Sequence, residues 1–338
     1  MVKNPRPDHR LKVMAGLFGR MVVGMVPIMP RFFVGWISRR YVAGAKLDDA
    51  VKVMKKLSSE GVCFTVDVLG EEISTLEESE FFIAEYERVL ATIIDNELDA
   101  NLSIKPTAFG LLIDEEYAYE KMTSLLVKAA KHDIFVRLDM EDHRVTQATI
   151  DVVLGMHERG LTNVGTVLQA RLFRTPDDIS SITDKLAHRA DFRICKGIYL
   201  EAGEIAHTGY SAIVTAMNDS IDSMLEKSAY VAIASHDKPV IKHALAALDK
   251  HQLGPGKSDP REGAGGSRVG KGSGYEFQML LGVRGNIRRK LAAAGHRTRV
   301  YIPYGEKWYE YGIRRLRENP DVAWHITKSF LMPWTNRR

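Results

Sequence analysis

Two adjacent arginines near the C-terminal end, Arg314 and Arg315 in the run GEKWYEYGIRRLRENP, are the side chains best suited to grip a small anion. On a helix, Tyr311, Arg314, Arg315 and Glu318 follow the i, i+3, i+4, i+7 rule and share one face. Two neighbouring guanidinium groups make a specific carboxylate clamp, because each presents a planar fork of donors. The same stripe is equally compatible with a solvated face carrying an Arg314–Glu318 ion pair, worth about 0.3–0.5 kcal/mol. The helix alone leaves both readings open.

Other candidates sit at the ends of short apolar runs. Lys105 closes the run in NLSIKPTAFG, so its ammonium either projects into a site or is a buried cation that needs a partner. Asp139, at the equivalent height in FVRLDMED, is the expected partner. FRICKGIY places Arg193, Lys196 and Tyr199 together, and Gly197 permits a sharp exit. Such cations suit the phosphates of a dinucleotide or the polarisation of a redox ring. Gln169 in VLQA and His236 in ASHD, taken singly, are ordinary polar residues. No His/Cys/carboxylate spacing resembles a metal site. No GxSxG turn and no Rossmann fingerprint appear either. Gly265, Gly270 and Lys271 have phosphate-loop spacing, but Gly272 stands where Ser or Thr should be.

These residues need elements to hold them. From about residue 61, strand-like runs at 62–69, 102–105, 134–138, 164–168, 192–195, 230–235, 275–280 and 299–303 alternate with helical periodicity. The helical stretches fall near 75–95, 115–132, 146–159, 176–189, 210–228, 237–250, 285–294 and 305–318. Eight such units predict an α/β chain folded as a (β/α)8 TIM-type barrel, with a doubly wound open sheet as the competitor. The barrel is favoured because Asp67, Lys105, Asp139, Gln169, Lys196 and His236 all fall at the C-terminal ends of their runs, with Tyr301 inside the last. Strand C-termini form the active-site face of such barrels.

Composition narrows the class. The chain has 338 residues, 45% hydrophobic and 27% charged, which is that of a globular protein. The expected organisation is a basic apolar helical arm at 1–46, a barrel at 47–320 with a flexible Gly/Ser-rich insertion at 254–274, and a tail at 321–338. The arm carries nine Lys/Arg against Asp8, so it holds +8 while the rest of the chain is −4. Its longest charge-free run, 21–30, is too short to span a bilayer, and no cleavage site follows. The arm reads as a packing segment on the barrel or as a surface that touches anionic lipid. No nucleic-acid motif accompanies the charge. Cys63 and Cys195, each in an apolar run, read as buried free thiols of a reducing cytoplasm.

Read in order, the motifs FTVDVLGE (64–71), SIKPTAFGL (103–111), VRLDMED (136–142), VLQARLFR (167–174), FRICKGIYLE (192–201), ASHD (234–237), YEFQMLLG (275–282), RVYIPYGE (299–306) and YGIRRLRENP (311–320) resemble proline dehydrogenase. The resemblance extends to stand-alone enzymes and to the matching domain of bifunctional proline-utilisation proteins, over about residues 45–320. It implies a distorted barrel with FAD at the strand C-termini and the last helix over the mouth. Lys105, Arg314 and Arg315 would then bind the substrate carboxylate, with Asp139 and Glu318 holding these cations. Tyr199, Tyr301 and Tyr311 would wall the ring of L-proline. Arg193 would meet flavin N5, Gln169 the pyrimidine edge, and Lys196, Gly197, Ser235 and His236 other parts of FAD. Ser235 stands where Thr is common, and Ile198 replaces a small residue. The implied reaction yields 1-pyrroline-5-carboxylate, with electrons passed to a quinone-type acceptor. The implied setting is cytoplasmic, at the inner face of the membrane if residues 1–40 bind lipid, with a pyrroline-5-carboxylate dehydrogenase as partner. Another cyclic amino acid is the alternative substrate. Tyr311 argues against 4-hydroxyproline, because members that accept it resemble this motif with a smaller residue there.

Overall fold

The computed structural model describes residues 40–257, 259, 261, 274–309 and 311. Eight parallel strands close into a barrel in the order β1 to β8. They are β1 (Cys63–Val68), β2 (Ala100–Ile104), β3 (Val136–Leu138), β4 (Val164–Gln169), β5 (Asp191–Cys195), β6 (Tyr230–Ala234), β7 (Tyr275–Leu280) and β8 (Thr298–Tyr304). Closure is made by β8 pairing with β1 from Cys63–Arg299 to Val68–Tyr304. The open-sheet alternative is therefore excluded, and each strand lies within two residues of its expected bounds.

The helices are α1 (Leu47–Ser58), α2 (Leu76–Asp95), α3 (Glu115–Ala130), α4 (Thr146–Glu158), α5 (Thr175–Leu186), α6 (Tyr210–Glu226), α7 (Lys238–Lys250) and α8 (Gly285–Ala293). The helix expected at 176–189 stops at Leu186, because Ala187 takes φ +49° and the chain continues as a short 3-10 turn. Sequence reading missed α1. Its signals are ordinary: Asp48 and Asp49 in the first turn, Lys55 and Lys56 in the last, and Leu47, Ala50 and Met54 on one buried face. That face packs with Phe64, Val66, Val300, Ile302 and Tyr304. Helix α1 thus covers the outside of β8 and β1, the slot a helix after β8 fills in a regular barrel.

The chain reaches α1 across the C-terminal rim. Arg40 Nε donates to Gly282 O at 3.1 Å, Ala43 N to Pro303 O at 2.9 Å, and Gly305 N to Gly44 O at 3.0 Å. Residues 1–39, the body of the expected arm, lie outside the described residues, as does the 321–338 tail. Among the described residues, no helix is long and apolar enough to cross a membrane. The phosphate-loop near miss falls outside them too, but part of the 254–274 segment does not. Arg261 is buried there, pairs with Asp259 at 3.0 Å, and lies 4.9 Å from the Tyr230 ring centroid. That position is anchored to the strand N-terminal end of the barrel, contrary to the flexible loop expected throughout.

Strand residues alternate in kind. Phe64, Val66, Leu102, Ile104, Val136, Leu138, Phe192, Ile194, Val231, Ile233, Phe277 and Met279 pack in the apolar clusters shared with the helices. Their neighbours are polar, and they bond across the inside: Arg193 to Ser103 and Gln278, Tyr301 to Asp139, Arg137 to Asp191. These join strands that are not neighbours, so the bonds cross the interior. Such interiors are usually filled by branched aliphatic side chains; here the core is the strand–helix ring, and the inside is a charged network.

Gly165 on β4 makes room for one of these crossings. Arg137 Nη1 donates to Thr166 O at 2.8 Å and to Asp191 O at 2.9 Å, and its guanidinium pairs with the Asp191 carboxylate. A Cβ at Gly165 would lie 2.5 Å from Asp191 O and 2.7 Å from Arg137 Nη1. Gly165→Ala is therefore expected to cost about 1–3 kcal/mol of stability, read as a lowered thermal midpoint. An unchanged midpoint would show that Arg137 has room to spare.

Candidate active site

The barrel mouth gathers most of the side chains expected from sequence. Lys105 and Asp67 form a buried ion pair across the β1–β2 boundary. Burial alone would depress the Lys105 pKa, yet Asp67 and then Asp139 outweigh it and raise it. Asp67 moves the other way. Burial lifts it to about 6 against the pull of Lys105. The lysine is the firmer ion of the two, because two carboxylates share its charge.

This corrects the expected Lys105–Asp139 bridge. Asp139 instead takes a hydrogen bond from Arg193 Nη1 at 2.5 Å, from Ser103 Oγ at 2.6 Å and from Tyr301 OH at 2.7 Å. Burial works against its charge, but Arg193, Lys105 and these bonds hold the carboxyl below its usual range. The register explains the exchange. Asp67 is level with Ser103 on β2, two residues short of Lys105. The lysine side chain therefore leans toward β1, while Asp139 meets the longer Arg193 across the interior. Arg193 also lies 5.3 Å from the Tyr301 ring centroid, so cation, ring and carboxylate lock one another.

A second group lines the exits of β4, β5 and β6. Gln169 Nε2 donates to Glu141 O at 2.7 Å, which turns its carbonyl end toward Gly197. Gly197 has φ +93°, and a Cβ there would lie 2.8 Å from Gln169 Oε1. The backbone is thus bare beside the amide. Lys196 pairs with Asp237 at 2.6 Å and sits 5.1 Å from the Tyr210 ring centroid. Ser235 Oγ accepts from Asp237 N at 3.1 Å and so steadies the entry to α7. His236 Nε2 accepts from Leu280 N at 3.0 Å. An amide N–H can only donate, so Nε2 is bare and the ring's proton is carried on Nδ1 in its neutral form.

The remaining expected residues are less gathered. Tyr199 is half-buried on the loop after β5, where its carbonyl accepts from Arg171. Tyr311 is buried at the start of the helical turn after β8. Arg314, Arg315 and Glu318 lie outside the described residues. Sequence reading missed Asp67 as the lysine's partner, and it missed Ser103, Glu276, Gln278 and Arg299. A signal was present. In FTVDV, YEFQM and TRVYI every second residue is polar or a phenol, which marks a polar face opposite the apolar one.

The family model described as proline dehydrogenase matches residues 50–327. The chain belongs to the proline dehydrogenase family. It is 35% identical over 289 residues to proline dehydrogenase 2 of Bacillus subtilis, covering 84% of this chain and 88% of that one. Proline dehydrogenase of Deinococcus radiodurans is 29% identical over 301 residues, covering 87% and 90%. Among solved structures, proline utilization A from Bdellovibrio bacteriovorus, inactivated by N-propargylglycine, superposes with a TM-score of 0.73 at 23% identity. That match covers 84% of this chain and 32% of the other, and it shows a shared fold.

The protein is accordingly an oxidoreductase of proline catabolism with FAD as its cofactor. The residues at the mouth fit that group. Arg193, Lys196 and the bare backbone at Gly197 offer charge and close approach, and Arg171 Nε is buried with no hydrogen bond among the described residues. This donor set suits a phosphate-bearing cofactor with a hydrogen-bonding ring edge.

A second buried carboxyl besides Asp67 is shifted toward neutrality. Glu141 is buried, and burial raises its pKa to about 7, although Thr107 donates from Oγ1 at 2.5 Å and from N at 3.1 Å. A folded pKa above the unfolded one means the native state holds the proton more tightly. The stability from this group is therefore complete below the ordinary glutamate range and lost as pH rises through about 7. The wild-type melting temperature should fall relative to that of Glu141→Gln as pH is raised from about 5 to about 8. A constant difference would place the Glu141 carboxyl in water.

Proposed function

We propose that this chain oxidises L-proline to 1-pyrroline-5-carboxylate at the C-terminal mouth of the barrel, with Lys105, Arg314 and Arg315 binding the substrate carboxylate. The observation that carries the reading is the buried pair Lys105–Asp67 beside the Asp139–Arg193–Tyr301 cluster. A lysine kept charged in a dry mouth is a ready anchor for a carboxylate. Asp67 holds Lys105, Asp139 holds Arg193 and Glu318 holds the adjacent arginines, while Tyr199, Tyr301 and Tyr311 wall the pyrrolidine ring. Helix α1 fills the outer slot on β8 and β1, which supports assigning Arg314, Arg315 and Glu318 to the mouth instead of to an outer helix face.

When bound, FAD would supply the acceptor for a hydride from the carbon next to the proline nitrogen. The chain's own task is to hold that C–H bond in line and to exclude water. Arg193 would hold the N5 region, Gln169 the pyrimidine edge, and Lys196, Gly197, Ser235 and His236 the rest of the cofactor. Purified protein should show a flavin spectrum that bleaches anaerobically with L-proline, and more slowly with 4-hydroxyproline, against which the Tyr311 ring is set. A colourless protein, or faster bleaching with hydroxyproline, would overturn the assignment. Arg315→Met should raise KM for proline by at least about tenfold, the loss of one charged hydrogen bond, with FAD retained. Loss of FAD with KM intact would move Arg315 to the cofactor.

Electrons leave for a quinone-type acceptor, and the basic segment 1–40 brings the mouth to anionic lipid on the cytoplasmic side of the membrane. The contact of Arg40 with Gly282 supports this, since it puts the end of that segment on the rim of the mouth. The product passes to a separate pyrroline-5-carboxylate dehydrogenase. Binding to anionic liposomes should weaken with salt and vanish when residues 1–39 are deleted; undiminished binding by the truncated protein would refute the lipid contact.

A further inference from the structure

We infer that Gln278 is a positioning residue for Arg193, and that Glu276, gripped by Arg299, dictates which end of the Gln278 amide faces the arginine. The inference rests on the reading above, in which Arg193 faces flavin N5.

Glu276 and Gln278 are two apart on β7, so both project into the barrel. Arg299 is level with Gln278 on β8. Its Nε donates to both Glu276 oxygens, at 2.8 and 3.0 Å, and its Nη1 donates to Phe64 O at 2.6 Å. Glu276 and Arg299 are fully buried. Burial opposes the Glu276 charge, but Arg299 and then Gln278 overcome it and keep the carboxyl below its usual range. An ionised carboxylate only accepts hydrogen bonds. Gln278 must therefore turn Nε2 toward it, at 2.5 Å, and its Oε1 then points at Arg193 Nε, 2.6 Å away.

Arg193 is thus held along two edges, Nε by Gln278 and Nη1 by Asp139. Among the described residues, Nη2 makes one bond, to Ser103 Oγ at 3.3 Å. A planar guanidinium fixed at two edges keeps its remaining donors in a set direction, which is the preorganisation that charge stabilisation requires. Without the Glu276 charge, the Gln278 amide could flip and present N–H groups to a cation.

The test uses the FAD-loaded enzyme and its apoprotein. In Gln278→Leu, anaerobic stopped-flow should show flavin reduction by L-proline slowed on the order of 10- to 100-fold, with the apparent affinity for proline little changed. Crystals of the apoprotein variant should show the Arg193 guanidinium displaced from Asp139. Gln278→Glu places a carboxyl against Glu276. Its reduction rate should be low at high pH and recover relative to wild type as pH falls, because a protonated carboxyl donates to Glu276 and accepts from Arg193 as the amide did. Should the Leu variant fail to fold, Gln278→Asn, too short to reach both partners, takes its place. A wild-type reduction rate with Arg193 unmoved overturns the inference. So does a loss of proline affinity at unchanged reduction rate, which would put Gln278 in the substrate site. Failure of the wild type to bleach with proline would instead sink the proline reading, and the position of Arg193 in the apoprotein would still decide the role of Gln278.

Discussion

The bond from Arg193 to Asp139 runs through the middle of the barrel from β5 to β3, and the arrangement of the mouth follows from it. A buried charge without a partner is costly, and removing one member of such a pair typically costs about 3–5 kcal/mol. Once Arg193 is inside, Asp139 must stay ionised, Ser103 and Tyr301 must turn their hydroxyls to it, and Gln278 must accept from Nε. Asp139 is then occupied, which leaves Lys105 to Asp67. Lys105 and Arg193, proposed to meet the substrate carboxylate and the flavin respectively, are thus each held by a carboxylate of their own.

This polar interior continues below the site. Arg137 with Asp191 and Arg299 with Glu276 fill the lower barrel, where aliphatic layers are usual. Such pairs are weak evidence for extra stability, since well-packed apolar residues often serve as well. Their effect here is directional: Arg137, Arg193 and Arg299 are each held by a carboxylate and by at least one further acceptor, so the groups at the top are braced from below. The apolar core is displaced outward, between strands and helices, and α1 completes that ring beside β8 and β1. The proposed oxidation needs a C–H bond held in line, and a mouth braced by a packed strand–helix ring suits that task.

The fold was largely legible beforehand, because a barrel repeats one local pattern. Apolar runs of strand length, helical periodicity between them and polar residues at each run's end sufficed to place the strands and most helices. Helix α1 was missed since it precedes the first strand and has no partner in the strand–helix rhythm. The buried Arg261 was missed for a different reason. A charged residue in a Gly/Ser-rich segment looks solvated until a ring such as Tyr230 is seen to cover it.

By its sequence alone, this chain determines its family, its strand count and which polar residues end the strands. Those depend on local periodicity and on ordered motifs, which survive in one dimension. Only the tertiary structure decided who pairs with whom. Lys105 and Asp139 stand at equal heights on neighbouring strands, and spacing made them partners. Closure of the barrel brought Arg193 across the interior to Asp139 and set Asp67 beside Lys105. Pairing between buried charges is settled by distances across a closed ring, and those distances do not exist until β8 has met β1.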